Sequence, residues 1–153
     1  MITPTKGSDM YDHGMIAPVV ALAAWSLIML LWLYCTRIPA MSRAKIRPGQ
    51  ATKSQMEALP GWAANPANNY NHLMEQPTVF YAVCFALQLL GEANDVNIGL
   101  AWAYVALRVT HSLWQAIFNV IVVRFLIFSL ASIVLIMLTV HALMAVGLLP
   151  PLF

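Results

Sequence analysis

Charged residues are scarce in this chain: Asp, Glu, Lys and Arg make up 9% of its 153 residues. Soluble domains carry about 25%. The chain is instead 61% hydrophobic, with a mean hydropathy of +0.73. This composition predicts an integral membrane protein in which residues 1–153 form a single transmembrane domain. With a net charge of +2 and no long basic run, nucleic acid is not an expected partner.

Several sequence motifs are also absent. The chain has neither a phosphate-binding loop nor a dinucleotide fingerprint, and no G-x-x-x-G pair lies in its apolar stretches. Cysteine is rare, and Cys35 and Cys84 fall at different depths of oppositely directed spans, so no disulfide between them is expected.

Four spans of about the 20-residue length that a membrane helix needs are predicted, at residues 15–36, 68–90, 98–118 and 125–149. Residues 1–14 are polar and predict a frayed end. Most of the basic residues lie in the loop 37–67, which is therefore expected to be cytoplasmic, with both termini on the other side. The turn 91–97 has two acidic residues and no basic one, which agrees with a position on the non-cytoplasmic side. The same basic residues suit contacts with lipid headgroups.

The second span begins with a polar segment, NNYNHLMEQP at residues 68–77. The apolar run after it, residues 78–90, is too short to cross a bilayer alone, so the polar segment is expected to form the first turns of this span. Asn68, Asn71, His72 and Glu75 have offsets of 0, 3, 4 and 7, which place them on one helix face. Such a face has to be turned toward other helices or a wet cavity. Alternatively, Asn68 and Asn71 cap the helix.

The third span carries a second polar stripe with offsets of 0, 4, 7, 11 and 15, which fall within about a quarter of the helix circumference. Its members are Tyr104, Arg108, His111, Gln115 and Asn119. An unpaired Arg inside a bilayer is costly, and the only carboxylate within a span is Glu75, so an ion pair between Glu75 and Arg108 is expected. That pair could serve a site or only fix helix register. No metal is expected, because nothing indicates a closed coordination shell.

The chain resembles the MAPEG family, the membrane-associated proteins in eicosanoid and glutathione metabolism. The resemblance rests on four spans with a basic first loop, on N-x-x-x-E-Q-P before the second span, and on YVALRVTHSLWQAIFNVIVVRF across the third. It is closest to bacterial members of unassigned activity. It implies an all-α membrane fold, a left-handed bundle of four helices that assembles as a homotrimer, here in a bacterial inner membrane.

The resemblance also implies a glutathione site near the cytoplasmic face. It implies that Glu75 binds the amine group of glutathione. It also makes Arg124 and Arg43 the catalytic candidates, with Arg124 stabilising the thiolate. The other binding candidates are Asn68, Asn71, His72, Arg108, His111 and Gln115. The chain departs from the glutathione-using members at Asn68, where they carry Arg, and at His111 and Gln115, where the eicosanoid branch carries Tyr.

Three functions follow as expectations. The first is a glutathione-dependent transferase or peroxidase acting on lipophilic electrophiles. The second is a non-catalytic member of the same fold, either an accessory subunit of a larger membrane complex or a lipid-binding component. The third is a small transporter in which Glu75, Arg108 and His111 relay an ion or a proton.

Overall fold

A computed structural model describes residues 14–150 of the chain, and within them the regular structure is helical. A short 3-10 turn, Pro48–Gln50, follows the first helix. The α-helices are α1 (Ile16–Arg43), α2 (Lys53–Glu57), α3 (Gly61–Leu73), α4 (Pro77–Leu89), α5 (Asp95–Ile117) and α6 (Ile121–Ala145). Of the N-terminal segment predicted to be frayed, residues 1–13 lie outside the described part.

Two helices, α1 and α6, are long and apolar enough to cross a membrane by length and composition. Both are shifted from their predicted bounds. Helix α1 continues through Arg37 to Arg43, so two of the basic residues expected in the loop are helical. Helix α6 begins at Ile121, which puts Arg124 in its first turn rather than in a connection.

The helix expected over residues 68–90 is wrong in one respect, because it is interrupted. Helix α3 ends at Leu73 and α4 begins at Pro77. A proline has no backbone N–H, and its ring clashes with the carbonyl four residues earlier. Pro77 therefore removes the hydrogen bond that the Leu73 carbonyl would accept in a continuous helix. Glu75, predicted within the helix, lies in the break.

Helix α5 holds the fold together. It packs against α6, α3 and α1, and α1 in turn packs on α3 and α4. The main apolar core lies where α1, α4, α5 and α6 meet, and includes Leu22, Phe80, Ala131 and Leu138. There the rings of Phe80 and Tyr104 stack with centroids 4.5 Å apart, so the ring of Tyr104 is part of the core packing. A separate small core near the basic end joins Ala40 of α1 to Ala63 of α3.

Candidate functional site

The polar stripe of α5 faces the interior. Asn94 caps the helix by accepting a hydrogen bond from the backbone N–H of Asn97 at 3.0 Å, and the helix continues to Ile117. The side chains of Tyr104, Arg108, His111 and Gln115 are buried, so the predicted inward orientation is confirmed for these four. The fifth predicted member, Asn119, lies in the turn after the helix and is partly exposed.

Arg108 does not form the ion pair predicted with Glu75. Its Nη2 donates to the backbone carbonyls of His72 at 3.1 Å and Leu73 at 3.0 Å. Among the described residues, the salt bridges are Lys53–Glu57 and His72–Glu75. The expectation failed because Pro77 leaves the carbonyl of Leu73 at the end of α3 without its helical donor, and the guanidinium supplies one.

The inward face of α3 is not the face that was predicted. Asn65, Asn69 and His72 of α3 turn toward α5 and the turn after it, and Gln76, which lies in the break after α3, turns toward α6. Asn69 is fully buried, and its Nδ2 donates to Ser112 Oγ at 2.7 Å. Gln76 Nε2 donates to Ser132 Oγ at 2.9 Å.

The predicted polar face, which lies about a quarter turn away on α3, is on the outside. Asn68, Asn71 and Glu75 are exposed, and only His72 belongs to both faces. The capping alternative for the two asparagines is also wrong, since both lie within α3, whose N-cap is Pro60.

Two histidines form the centre of the candidate site. The rings of His72 and His111 stack with centroids 4.9 Å apart and planes 22° from parallel. Phe128 of α6 lies against both, with ring-centroid distances of 4.8 Å to His72 and 5.9 Å to His111. Both histidines were predicted to be binding residues, but nothing in the sequence indicated that their rings would touch.

The stacked histidines open onto a cavity of about 470 Å³, a volume typical of small-molecule sites. Arg124 lines it from α6 together with the apolar side chains of Ile121, Phe125 and Phe128. The cavity is therefore bounded by imidazoles from α3 and α5 and, from α6, by a guanidinium among apolar side chains. Such a cavity suits an amphipathic ligand.

Arg124 is held by a residue outside the cavity. Its Nη1 donates to Asn119 Oδ1 at 2.6 Å, while Asn119 Nδ2 donates to Asn65 Oδ1 at 3.1 Å. Asn119 adopts a left-handed conformation with φ 54°, which non-glycine residues rarely take but Asn tolerates. Asn119, in the turn between α5 and α6, thus connects the guanidinium of Arg124 to α3 and fixes its orientation.

Glu75 lies beside the site. Its side chain is 59% exposed, and Oε2 is 3.6 Å from Nε2 of His72. A carboxylate placed there can orient the imidazole, and it also remains open to a ligand arriving from outside the chain.

The remaining candidates are dispersed. Gln115 is buried, and its Oε1 has no hydrogen-bond partner among the described residues. Arg43 lies with its guanidinium carbon 5.7 Å from the centre of the Trp62 ring, an arrangement that a cation–π attraction favours. Asn68 and Asn71 instead line a polar cavity of about 240 Å³ together with Arg37 and Lys53.

The structure also shows polar contacts that sequence reasoning missed. Asn65 and Asn69 follow the same helical spacing as His72 and Gln76, and this periodicity was the available signal. At the opposite end, His141 Nδ1 and Asn97 Oδ1 are 2.6 Å apart. No group of three or more His, Cys, Asp or Glu side chains within residues 14–150 could hold a metal ion.

The comparisons with known proteins agree with this architecture. Residues 15–144 match the model of the MAPEG family. No curated protein and no solved structure matches the chain significantly. Since the match covers most of the chain, and since α1 and α6 have the length and composition of membrane spans, this chain belongs to the MAPEG family and is an integral membrane protein.

Proposed function

We propose that this protein is a glutathione-dependent transferase or peroxidase that acts on lipophilic electrophiles at the cytoplasmic face of a bacterial inner membrane. The observation that carries the proposal is the cavity lined by His72, His111 and Arg124 together with apolar side chains of α6. A polar thiol could contact the imidazoles and the guanidinium while an apolar co-substrate packs on the phenylalanines.

Arg124 is the residue to which we assign thiolate stabilisation. A free thiol has a pKa near 8.5, and an adjacent cation favours the thiolate, which is the nucleophile. The hydrogen bond to Asn119 fixes one end of the guanidinium. That bond uses Nη1 only, and Nη2 makes no hydrogen bond among the described residues, so a donor remains for the sulfur.

The reaction would follow ordinary thiolate chemistry. In transfer, the sulfur attacks an electrophilic carbon, a C–S bond forms, and the leaving group departs with its electron pair. In peroxide reduction, the sulfur attacks one oxygen of the O–O bond, giving a sulfenic acid and an alkoxide that takes up a proton. A second glutathione then converts the sulfenic acid to a disulfide and water.

We further propose that the chain crosses the membrane four times, through α1, α3 with α4, α5 and α6, as a left-handed bundle. The basic residues between α1 and α3 would mark the cytoplasmic side, and Glu92 and Asp95 the opposite side. Both termini would then be non-cytoplasmic.

A homotrimer would complete the site. The exposed face formed by Asn68, Asn71 and Glu75 belongs to a helix that we place in the membrane, where polar groups facing lipid are costly. A neighbouring copy that covers this face would remove the cost, and it would leave Glu75 at the boundary between copies, where the family resemblance places the glutathione amine.

The second candidate function is non-catalytic: the protein would be an accessory subunit or a lipid-binding protein. It is favoured by the way the cations are used. Part of each guanidinium is already bonded, Nη2 of Arg108 to two backbone carbonyls and Nη1 of Arg124 to Asn119, while Asn68 stands where glutathione-using members carry Arg. Fewer free guanidinium donors mean weaker binding of the tripeptide carboxylates.

Isothermal titration of the detergent-purified protein separates these candidates. The ligands are glutathione and S-methylglutathione, which lacks the ionisable thiol. If Arg124 stabilises a thiolate, Arg124→Gln weakens glutathione binding about tenfold or more and leaves S-methylglutathione binding nearly unchanged, whereas Glu75→Gln weakens both.

Arg47→Gln is the matched control, because it makes the same exchange at an exposed arginine that lines neither the cavity at Arg124 nor the one at Asn68. Binding that is undetectable at millimolar glutathione rules out the enzyme proposal. If Glu75→Gln and Arg124→Gln instead shift the trimer to smaller species on size exclusion with light scattering, the accessory-subunit reading is supported.

A further inference from the structure

The end of α1 forms a tight turn that carries a basic residue in an unfavourable conformation. The backbone N–H of Lys45 donates to the carbonyl of Ser42 at 3.1 Å, and that of Ile46 donates to Met41 at 3.0 Å. This pair of bonds is the Schellman motif, in which the residue after the C-cap is left-handed and is usually Gly. Here that residue is Lys45, with φ 55°.

The turn shapes a cavity at the basic end of the molecule. The Ile46 side chain folds back with Met41 onto the small core formed by Ala40, Leu59 and Ala63. A cavity of about 460 Å³ lies beside the turn. Its lining has an apolar part, formed by Ile38, Met41 and Ile46, and a polar part, formed by Ser42, Lys45 and Arg47.

The two cations of this cavity are not neutralised within the chain. Lys45 and Arg47 are exposed, and neither takes part in a salt bridge or a side-chain hydrogen bond among the described residues. They come from one turn and flank Ile46, so both charges lie next to apolar surface. An occupant with one anionic group and an adjoining apolar part would match both features.

An exposed apolar stripe leads away from the cavity along α1. Its members have offsets of 0, 4, 7 and 11, so they share one face, and that face is opposite the buried one. They are Leu27, Leu31, Tyr34 and Ile38, each at least half exposed. Since Ile38 also lines the cavity, the stripe continues from the cavity into the level of the hydrocarbon.

We propose that this cavity and stripe bind one anionic phospholipid. The phosphate diester accepts hydrogen bonds from Lys45, Arg47 and Ser42, and one acyl chain lies along Leu27, Leu31, Tyr34 and Ile38. Lys45 keeps its side chain at a position that glycine fits better because that side chain contacts the headgroup. This inference does not depend on the glutathione proposal, since the cavity shares no residue with the one at His72 and His111.

The test is native mass spectrometry of the full chain in detergent, titrated separately with phosphatidylglycerol, phosphatidylcholine and inorganic phosphate. We expect phosphatidylglycerol to bind more tightly than phosphatidylcholine and inorganic phosphate to leave no adduct. Each of Lys45→Gln and Arg47→Gln should weaken phosphatidylglycerol binding about fivefold, the effect of one basic residue near a lipid surface. Lys53→Gln removes the same charge from the neighbouring α2 and should have little effect.

Two further variants separate binding from folding. Lys45→Gly relieves the left-handed backbone, so it should raise the unfolding temperature while it lowers phosphatidylglycerol affinity as much as Lys45→Gln. Ile38→Ala shortens the stripe and should weaken lipid binding without changing its dependence on salt.

Several results overturn the proposal. Equal losses for Lys45→Gln and Lys53→Gln would show that only overall charge matters. Equal binding of the two lipids would remove the role of the anion, and binding of inorganic phosphate as tight as that of the lipid would remove the role of the stripe.

Discussion

Arg108 replaces the hydrogen bond that Pro77 cannot donate. Its Nη2 lies 3.0 Å from the carbonyl oxygen of Leu73, the acceptor that residue 77 would serve in an unbroken helix. A buried guanidinium on one helix thus completes the end of another. The finding explains why this arginine is buried without a carboxylate in contact with it among residues 14–150.

This relationship predicts a thermodynamic coupling. Arg108→Leu leaves the carbonyl of Leu73 without a donor, whereas that of His72 keeps the N–H of Glu75 at 3.4 Å, so the free energy of unfolding should fall by about 1–3 kcal/mol. In a Pro77→Ala background the N–H of residue 77 becomes available to Leu73, so Arg108→Leu should cost less there. Unfolding of the four variants in mixed micelles, followed by far-ultraviolet circular dichroism, gives the coupling. Strictly additive losses would contradict the account.

The bond between Asn69 and Ser112 joins α3 to α5. Ser112→Ala should destabilise the protein by about 1–3 kcal/mol, because the amide of Asn69 stays buried without its acceptor. Thr110→Ala is the control on the same helix, since Thr110 is exposed and bonds only to its own helix. The same unfolding assay compares them, and similar losses for the two would show that Asn69 is satisfied in another way.

Asn119 has a conformational role and a bonding role that two substitutions separate. Asn119→Gly keeps the left-handed backbone but loses the bonds to Asn65 and Arg124. Asn119→Ala loses the same bonds and also disfavours the left-handed backbone, so it should be less stable than Asn119→Gly by about 1 kcal/mol. Thermal unfolding ranks the three proteins, and an alanine variant as stable as the glycine variant would argue against backbone strain at this turn.

The contact between Asn97 and His141 ties the start of α5 to the end of α6. Since Asn97 also donates to the carbonyl of Glu92 at 2.8 Å, its substitution should loosen the turn before α5 as well. We expect Asn97→Leu to speed amide hydrogen exchange in residues 91–97 and His141→Leu to leave that turn protected. Equal exchange in the two variants would mean that the bond to Glu92 contributes little.

Part of the site followed from the sequence. Four members of the α5 stripe were predicted correctly because they occupy one narrow arc of a mostly apolar helix, so one orientation buries them together. On α3 the sequence was ambiguous. Asn65, Asn69, His72 and Gln76 form as regular a polar face as Asn68, Asn71, His72 and Glu75, and periodicity alone could not choose between them.

The partner of Arg108 was missed for a different reason. Sequence reasoning matched the buried cation with a side-chain anion, whereas the structure uses main-chain oxygens, which every residue has. Pro77 was the available signal, because a proline inside a span exposes a carbonyl four residues before it. The stacking of His72 on His111 depends on the register between α3 and α5, which no local pattern specifies.

The break before Pro77 has a consequence for biosynthesis. Helix α4 has 13 residues and is about 20 Å long, short of the roughly 30 Å hydrocarbon layer. If α3 and α4 together make the second crossing, neither half carries enough apolar length to partition from the insertion machinery into lipid by itself. The segment α3–α4 and helix α5 would then enter the bilayer together, because α3–α4 alone would not leave the insertion machinery. Arg108 would act first as an assembly contact for the nascent chain.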